Sequence, residues 1–383
     1  MSTTTSRPKI LGVLTTLVVA ASLLMAGPTE AAARTIVEEG ESIQAALDAA
    51  YPGSAVFVRG DHAENVWINK SGMSLVGLDG ATLRMPEEPN VVPCQNPENL
   101  QQAAIVCVHP AVDFAAGPPV LANNLDGVRV QNLQLEAPNG IGIESVFTDG
   151  VDIFGNTVSG TECAGIQVVL ADGFDINGNT VSDVADCNGI NVIGSTKGRI
   201  VNNSASGVAF AAIGTSSTSS TMIRENSASG SCYGIVVTDD PDNGYGFLDA
   251  DVEARNVRIR YNTVTANNLT CRPFGPEGGL GGGVGIVVGG ADRVEVRGNT
   301  VTDHQVQGTD LAPAGIYAGD FPNFDGSTFA VSTDLIVVDN VVTNNSSDFG
   351  DVDLLLESEA DPKRVANNVC GVSLPDPSWC SAS

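Results

Sequence analysis

An apolar residue followed three positions later by an asparagine recurs along most of the chain. The first pairs of this kind are 23 or 24 residues apart. A second short apolar segment, often Gly-Ile-x-Val, follows each pair and is bounded by Gly, Asn, Ser and Thr. A repeat of this length, built from short alternating segments, predicts a β-solenoid. The pairs are Ile153 and Asn156, Ile176 and Asn179, Ile200 and Asn203, Ile223 and Asn226, Ile259 and Asn262, Val296 and Asn299, Val337 and Asn340, and Val365 and Asn368.

A single coil of such a solenoid cannot bury its own inward side chains. Consecutive coils bury them by stacking through parallel strand ladders about 4.8 Å apart. The recurring Asn suits a turn, because Asn tolerates the left-handed backbone conformation. Stacked turns also allow successive side-chain amides to hydrogen-bond to one another. We therefore predict that the Asn column is structural.

The segment before the first coil predicts a cap. Ser42 is a suitable N-cap for a short helix. A helix over the first coil would cover an otherwise open sheet end. Its apolar face would consist of Ile43, Ala46, Leu47 and Ala50. The predicted boundaries are an N-terminal cap at 34–54, coils at 55–368 and a C-terminal tail closed by a disulfide at 369–383.

Two coils carry the repeat almost unchanged. Residues 150–158 read Gly-Val-Asp-Ile-Phe-Gly-Asn-Thr-Val, and residues 173–181 read Gly-Phe-Asp-Ile-Asn-Gly-Asn-Thr-Val. Together with the opening stretch 42–77, they resemble right-handed parallel β-helix proteins of the pectin-lyase-like superfamily. The resemblance implies an all-β fold, a single-stranded right-handed parallel β-helix solenoid with a short N-terminal capping helix. It implies no single activity, because this superfamily contains lyases, hydrolases, epimerases, adhesins and binding proteins.

The first 33 residues predict a secretory signal peptide. Arg7 and Lys9 precede an apolar run at 10–27, and small residues at 31–33 offer a cleavage site. The alternative is an uncleaved membrane anchor, for which the run is near the lower length limit. Cleavage predicts a secreted, extracellular protein whose mature chain, 34–383, has no membrane span.

An even number of cysteines in an exported chain predicts disulfides, and this chain has eight. Cys163 and Cys187 each lie three residues before the second-strand Ile of adjacent coils, so we expect them to pair. A coil that carries Phe210 separates Cys187 from Cys232, which is too far for a bridge. Cys271 is therefore the expected partner of Cys232. The remaining expected pairs are Cys94 with Cys107 and Cys370 with Cys380.

The composition excludes several classes of protein. The apolar fraction of 42% is sufficient for a core, which excludes wholesale disorder. The net charge of −27 repels phosphate, and no basic stripe is evident, so we expect no nucleic-acid partner. We expect a monomer.

Departures from the regular coil length locate insertions. Regular coils run ten residues from the second strand to the next first strand, and about thirteen in the other direction. Four intervals between positions 235 and 337 are longer. Insertions on a solenoid often gather on its binding face. We therefore predict a cleft over Ile235, Ile286 and Ile316, walled by the inserted loops.

One of these loops is dense in carboxylates. Calcium binds several oxygen ligands of this kind, so the loop is a candidate calcium site. The EF-hand pattern fails, because Pro241 falls on a ligand position when Asp239 comes first. The alternative is a solvated acidic loop on an acidic protein. The candidate ligands are Asp239, Asp240, Asp242, Asp249 and Asp251.

The same region holds the candidate catalytic residues. A uronate lyase or epimerase needs a group that neutralises the substrate carboxylate, a base for the proton at C5 and a proton donor. Calcium would neutralise the carboxylate, and His304 has a side chain that titrates near neutral pH. The alternative for His304 is an exposed loop histidine. The candidate set is Asp239, Asp240, His304, Tyr317 and Arg272.

The signatures of related enzymes are incomplete in this chain. The alginate epimerase signature Tyr-Gly-x-Asp-Pro-His is absent, and residues 245–249 only partly resemble it. Glycoside hydrolysis by paired carboxylates, with Asp239 or Asp240 opposite Asp320, is a weaker alternative. The outward row of the second strand is mostly neutral and consists of Glu144, Gln167, Asn191, Gly214, Val236, Val287 and Tyr317.

Two classes of function therefore stay open. The first is a secreted protein that binds or processes an extracellular polysaccharide, as a calcium-assisted uronate lyase or epimerase. The second is a non-catalytic structural or glycan-binding solenoid, secreted or at the cell surface. It accounts for the repeat, the disulfides and the missing catalytic motifs. Convergence of the Asp, His, Arg and Tyr side chains in one concave site would favour the enzyme.

Overall fold

Three long parallel sheets form a β-helix in a computed structural model of the chain. All strand pairs within these three sheets are parallel, and successive coils add one strand to each. The expected all-β, right-handed parallel β-helix solenoid is confirmed. The structure describes residues 34–90, 94, 103–110, 124–239, 253–269, 271, 282–306, 315–322, 329–347, 350–357 and 362–381.

We name the sheets A, B and C in the order in which a coil passes through them. Sheet A contains Arg34–Val37, Ala55–Val58, Ser74–Gly77, Leu125–Asp126, Arg129–Gln131, Thr148–Phe154, Asp172–Asn177, Thr196–Val201, Met222–Arg224, Arg258–Arg260, Glu295–Arg297, Leu335–Val338 and Pro362–Ala366. Sheet B contains Asp61–Ala63, Thr82–Arg84, Gln134–Glu136, Thr157–Ser159, Thr180–Val184, Ser204–Val208, Ser227–Ser229, Thr263–Thr265, Thr300–Thr302, Val341–Thr343, Asn368–Cys370 and Cys380–Ser381. Sheet C contains Val66–Ile68, Ala103–Val108, Gly140–Val146, Ile166–Val169, Ile190–Ile193, Ala211–Ser216, Tyr233–Thr238, Val284–Gly289, Ile316–Gly319, Leu354–Leu356 and Ser373–Leu374.

A few short elements lie outside the three sheets. One small parallel pair joins Gln305–Val306 to Ser346–Ser347, and one antiparallel pair joins Phe321–Pro322 to Phe329–Ala330. The described residues form two helices, the α-helix Ile43–Ala49 and the 3₁₀ helix Pro377–Trp379. Over the described ranges, no helix has the length and apolar character needed to cross a membrane.

The predicted capping helix is confirmed. Ser42 is its N-cap, and the Ser42 hydroxyl accepts a hydrogen bond from the Ala45 N–H at 3.1 Å. The Glu64 carboxylate accepts a second hydrogen bond from the Ile43 N–H at 2.8 Å. These two acceptors satisfy N–H groups that a helix leaves unpaired at its start. Ile43 and Leu47 are buried against the core, so the helix covers the first coil.

Strand formation begins earlier than the sequence predicts. Arg34–Val37, which the sequence assigns to the cap, is a strand of sheet A. It pairs in register with Ala55–Val58, the strand with which the coils were expected to begin. The capping helix therefore belongs to the connection between two strands that are neighbours in sheet A.

In-register stacking gives each sheet an internal column of apolar side chains. Ile153, Ile176 and Ile200 are successive partners in sheet A. Ile143 and Ile166 are partners in sheet C. All five side chains are fully buried. Burial of each such side chain contributes about 1.5–3 kcal/mol, so the repeated isoleucines supply the core.

The asparagines of the repeat form a hydrogen-bonded ladder at the turn between sheets A and B. Asn179, for example, donates its backbone N–H and its Nδ2 to Oδ1 of Asn203, at 2.9 and 3.0 Å. The same contacts connect all eight asparagines from Asn156 to Asn368. The first rung accepts a hydrogen bond from the Leu133 N–H. Every rung is buried, which confirms the structural role of the column.

The four expected disulfides are all present. Cys163–Cys187 connects two adjacent coils, and its cysteines are 24 residues apart in the chain. Constraining the unfolded chain in this way typically stabilises a fold by about 2–4 kcal/mol. The other three bonds are Cys94–Cys107, Cys232–Cys271 and Cys370–Cys380.

Candidate functional site on sheet C

The outward face of sheet C presents one side chain of each strand in a continuous row. Strand register defines this row, because partners in a parallel ladder point to the same face. The row contains the predicted outward residues and extends beyond them in both directions. Its members are Trp67, Cys107, Glu144, Gln167, Asn191, Gly214, Val236, Val287, Tyr317 and Leu355.

A chain of four hydrogen bonds in this row ends on the side chain of Glu144. The Ala211 N–H donates to Oδ1 of Asn188 at 3.1 Å, and Nδ2 of Asn188 donates to Oδ1 of Asn191 at 2.8 Å. Nδ2 of Asn191 donates to Oε1 of Gln167 at 3.1 Å, and Nε2 of Gln167 donates to Oε1 of Glu144 at 2.9 Å. All four donors point toward Glu144, so each bond polarises the next. We name Glu144, Gln167, Asn191 and Asn188 the amide row.

Glu144 is the titratable group of the amide row. Burial raises the pKa of its carboxyl to about 7, while the hydrogen bond from Gln167 acts in the opposite direction. A carboxyl with a pKa near neutrality can both donate and accept a proton at working pH. Strongly perturbed pKa values gather at functional sites, so we take the amide row as the candidate functional site.

Gly214 makes room for the amide row. A Cβ at this position would lie only 2.4 Å from Nδ2 of Asn188. Any larger side chain would displace Asn188, which is hydrogen-bonded to Asn191. The position of Asn188 in the amide row therefore requires glycine at position 214 of the adjacent strand.

A disulfide and a tryptophan flank Glu144 on the N-terminal side. Cys107 is the register partner of Glu144 and is bonded to Cys94. The Sγ atom of Cys94 lies 3.7 Å from the carbonyl oxygen of Glu144. Trp67 comes next in the row and donates its Nε1–H to the carbonyl oxygen of His109 at 2.7 Å. The Cys94–Cys107 disulfide therefore lies directly against the strand that carries Glu144.

In the coils with the predicted insertions, the side chains on both faces of sheet C are buried. Ile235, Ile286 and Ile316 point into the core and are fully buried. Their outward neighbours Val236 and Val287 are also buried. Most of the inserted loops that would wall the predicted cleft lie outside the described residues, so the cleft stays a prediction. The polar outward side chains lie instead on the preceding coils.

Tyr317 lies in the same row as Glu144 but six strands away. Burial and a hydrogen bond to the Glu357 carboxylate raise the pKa of the Tyr317 phenol. Both groups lie over Gly319, since a Cβ there would be 2.5 Å from the Tyr317 hydroxyl and 2.6 Å from Oε2 of Glu357. Near neutral pH, Tyr317 is therefore a protonated hydrogen-bond donor.

Asp239 directly follows the strand Tyr233–Thr238 and is partly buried. Its Oδ1 accepts hydrogen bonds from the Ala254 N–H at 3.0 Å and from the Ser217 hydroxyl at 3.5 Å. Burial raises the pKa of its carboxyl. These contacts fix the end of the strand to the neighbouring backbone.

His304 is buried inside the solenoid, so the expectation of an exposed loop histidine is wrong. Its Nδ1 accepts a hydrogen bond from the Asn267 N–H at 3.2 Å, and its Nε2 lies 3.3 Å from the Val264 carbonyl oxygen. Burial lowers the pKa of the imidazole to about 4. Ser231 and Asn345 continue the same internal column on either side. His304 is thus a neutral structural group, and its contacts do not support the predicted catalytic role.

The described part of the structure does not bring the candidate residues from the sequence together. Asp239 lies at a strand end, His304 in the interior and Tyr317 on the outward face. Within the ranges that the structure describes, no group of three or more His, Cys, Asp or Glu side chains could hold a metal ion. The other candidates lie outside the described residues, namely Asp240, Asp242, Asp249, Asp251 and Arg272.

The sequence predicts that Glu144, Gln167 and Asn191 lie in one outward row, but the predicted site residues do not include them. A signal was available, because Gly-Ile-Glu, Gly-Ile-Gln and Gly-Ile-Asn occur in three successive coils. The hydrogen-bonded chain also requires Asn188, two residues before the second-strand Ile. Its direction toward Glu144 follows from three-dimensional contacts that the register alone does not specify.

The repeat, the three parallel sheets and the asparagine ladder define a class of protein. A family model described as the right handed beta helix region matches residues 139–329. The chain is a right-handed parallel β-helix protein, as its coils suggest. A comparison with curated proteins finds no match.

Several solved structures share this fold. The chain is similar to the A-module of the mannuronan C-5 epimerase AlgE4 of Azotobacter vinelandii, with 15% identity and a TM-score of 0.53 over 89% of this chain and 94% of that chain. It is similar to XylC in complex with xylose, with 11% identity and a TM-score of 0.55 over 90% and 86%. A mutant of the periplasmic alginate epimerase AlgG has 12% identity and a TM-score of 0.54 over 88% and 83%. These identities establish the fold alone.

Proposed function

We propose that this protein is secreted and binds an extracellular polysaccharide on the outward face of sheet C, through the amide row. The observation that carries the proposal is the chain of hydrogen bonds that ends on Glu144. Each primary amide has two N–H donors, and the chain uses one of them. Glu144 and Asn188 are partly exposed, whereas Gln167 and Asn191 are 4% and 9% exposed, so the two ends of the amide row are its accessible groups. A few fixed polar groups on a rigid face are typical of carbohydrate and small-molecule sites.

The similar structures support a carbohydrate ligand. Two of them are named as epimerases of mannuronan and alginate, and a third contains xylose. The four disulfides agree with an oxidising compartment, which supports secretion.

Affinity electrophoresis tests the binding proposal. Soluble polygalacturonate, alginate and xylan serve as the probes. Gln167→Met removes the central amide while keeping the length of the side chain, and we expect about tenfold weaker binding of any glycan that the unmodified protein retains. Gln134→Met is the matched control, because Gln134 is exposed on sheet B. Equal retention of both variants by every probe would overturn the proposal.

A second candidate function is proton transfer by Glu144 during lyase or epimerase chemistry on a uronate. The pKa of about 7 favours it, because the ionised carboxylate can accept the C5 proton and the neutral form can return one. Glu144→Gln keeps the hydrogen-bonding shape and removes the titration. We expect this variant to bind glycan but to lose both the ultraviolet absorbance of unsaturated uronate and the exchange of the C5 proton with solvent deuterium. Unchanged product formation by Glu144→Gln would exclude this chemistry.

Calcium is a further part of the proposed function. Asp239 and the acidic residues that follow it would hold the ion, which would neutralise the substrate carboxylate. Adding a chelator to the glycan-bound protein tests this. We expect weaker retention of alginate in the chelator and unchanged retention of neutral xylan.

A further inference from the structure

Three arginines occupy one outward row on neighbouring strands of sheet A. Arg224 pairs in register with Arg260, and Arg260 with Arg297, so the row has three positive charges at steps of about 4.8 Å. Like charges directly opposite each other destabilise a sheet. Intervals of 36 and 37 residues separate the three residues in the sequence, so only the strand register brings them together. We name them the arginine row.

Carboxylates orient the arginine row without using all of its donors. Glu295 pairs with Arg260 and with Nε of Arg297, the latter at 3.1 Å. Glu225 pairs with Arg224 at 2.6 Å. Asp339 also lies 3.6 Å from Nε of Arg297. A guanidinium has five N–H donors, so these pairs leave others available. The Arg224 side chain is 44% exposed, which leaves it accessible to a ligand.

An exposed tyrosine lies beside the arginine row. The side chain of Tyr261 is 52% exposed, and the Arg224 guanidinium lies 5.6 Å from the centroid of its ring. The backbone φ of Tyr261 is +56°, and the equivalent turn position before each other ladder asparagine also has a positive φ, at Gly155, Gly178, Asn202, Glu225, Gly298, Asp339 and Asn367. A bulky residue in this conformation is strained. Gly298 also provides space for the ring, because a Cβ there would lie 2.7 Å from Cδ1 of Tyr261.

The arginine row and Tyr261 are neighbours on the outward surface of sheet A. Together they present cations and an exposed aromatic ring on one surface. A guanidinium binds a carboxylate through two parallel hydrogen bonds. An exposed tyrosine ring packs against the apolar face of a sugar ring. Each coil advances by about 4.8 Å, which is close to the length of one sugar unit in an extended chain.

We propose that the arginine row and Tyr261 form a second glycan-binding surface, which takes a chain of uronate sugars lying along the solenoid axis. The surface belongs to sheet A, whereas the amide row belongs to sheet C. The inference rests on the proposed function for the class of ligand, a polysaccharide, and adds a site with a preference for carboxylate-bearing chains.

Isothermal titration of the full mature chain with soluble polygalacturonate tests the inference. Tyr261→Gly installs the residue found at three of the equivalent turns, and glycine adopts a positive φ without strain, so the variant should fold. Arg224→Gln removes one charge of the arginine row. We expect each to weaken binding about fivefold. Arg199→Gln is the matched control, because Arg199 lies on the same sheet face, pairs with Asp175 and is outside the arginine row. It should change the affinity less than twofold.

Three results would overturn the inference. The first is an equal loss of affinity in Arg199→Gln and Arg224→Gln, which would indicate general charge attraction. The second is single-stranded DNA binding with the same dependence on Tyr261 and Arg224, which would indicate a different polyanion. The third is binding of xylan, sensitive to Gln167→Met, without any binding of polygalacturonate. This last result would leave the proposed function intact. Loss of polygalacturonate binding in the sheet A variants but not in Gln167→Met would support the inference while contradicting the proposed site on sheet C.

Discussion

Gln167 donates its side-chain amide to Glu144 at 2.9 Å, and this bond ends a relay that starts at the backbone of Ala211. The relay favours the ionised form of Glu144, because a polarised donor stabilises a negative charge. Burial favours the neutral form and is the larger effect, so the pKa of the carboxyl lies near 7. The outward face therefore holds a group that changes charge close to neutral pH.

Glu144 gives the native protein a defined pH dependence of stability. Its folded pKa of about 7 lies above the ordinary value of 4.5, so the folded state binds more protons between these values. Stability is therefore lost as the pH rises through this window, by about 1–3 kcal/mol. We expect Glu144→Gln to remove this loss. Urea unfolding at a series of pH values measures it, and the same slope in both proteins would contradict the assignment.

The relay itself is open to measurement. Asn191→Ala removes the donor to Gln167 and weakens the polarisation that reaches Glu144. We expect the pKa of Glu144 to rise by less than about one unit. Titration of the labelled Glu144 carboxyl by carbon NMR detects the change. Asn177→Ala, on sheet A, is the control and should leave the titration unchanged.

His304 contributes a pH dependence of the opposite sign. Burial lowers the pKa of its folded form from 6.5 to about 4, so the unfolded state binds more protons between these values. Stability is lost as the pH falls through this window, by up to about 3 kcal/mol. We expect His304→Asn to fold, because Asn occupies neighbouring rungs at Asn267 and Asn345, and to lose this pH dependence. Denaturant unfolding of both proteins from neutral to acidic pH provides the measurement, and an unchanged difference between them would contradict the buried neutral imidazole.

A break in the middle of the asparagine ladder should be costly. Asn203→Ala removes the acceptor of the Asn179 N–H and leaves that buried donor unpaired. An unsatisfied buried group costs about 1–3 kcal/mol, and the lost contacts of the side chain add to this. Thermal unfolding monitored by circular dichroism measures the effect. Asn177→Ala, at the end of a strand of sheet A, is the control. Asn202→Ala is not suitable, because the positive φ of Asn202 would itself disfavour alanine.

Packing at Gly198 provides a test of the core register. A Cβ at this position would overlap the ring of Phe174 on the adjacent strand, at 2.0 Å. We expect Gly198→Ala to destabilise the protein by about 1–3 kcal/mol, because overpacking displaces a buried ring. Phe174→Leu in the same chain should restore part of the loss. An additive effect of the two substitutions in urea unfolding would show that the residues do not meet.

Much of the fold could be predicted because every coil uses the same arrangement of buried isoleucines and turn asparagines. The aligned isoleucines and asparagines recur at nearly constant intervals, so the register of Ile176 with Ile200 and the rungs of the ladder follow from the sequence. The disulfides follow for the same reason, since Cys163 and Cys187 occupy one position in adjacent coils. The first strand was missed because Arg34–Val37 precedes the repeat and lacks its asparagine.

The candidate site was harder to predict, because it depends on burial and on direction. His304 follows a strand of sheet B at a position where other coils have Asn267 and Asn345, and this equivalence indicates an internal rung. Its titration near neutral pH suggested a catalytic acid or base instead, with an exposed loop histidine as the alternative. A role for Glu144 could not be predicted from its place in a mostly neutral row. The raised pKa of its carboxyl arises from the surrounding atoms and not from the residue itself.

Neighbouring rungs of the ladder are separated by as few as 23 and as many as 41 residues, yet the hydrogen bonds between them keep the same length. The number of residues between two rungs therefore does not affect the distance between them in space. The additional residues are accommodated in the connections outside the ladder. New peptide segments can be inserted between coils without altering the spacing of the side chains on the sheets. The molecule is therefore a natural display scaffold, in which loop content can diversify while the rows of surface residues keep a fixed geometry.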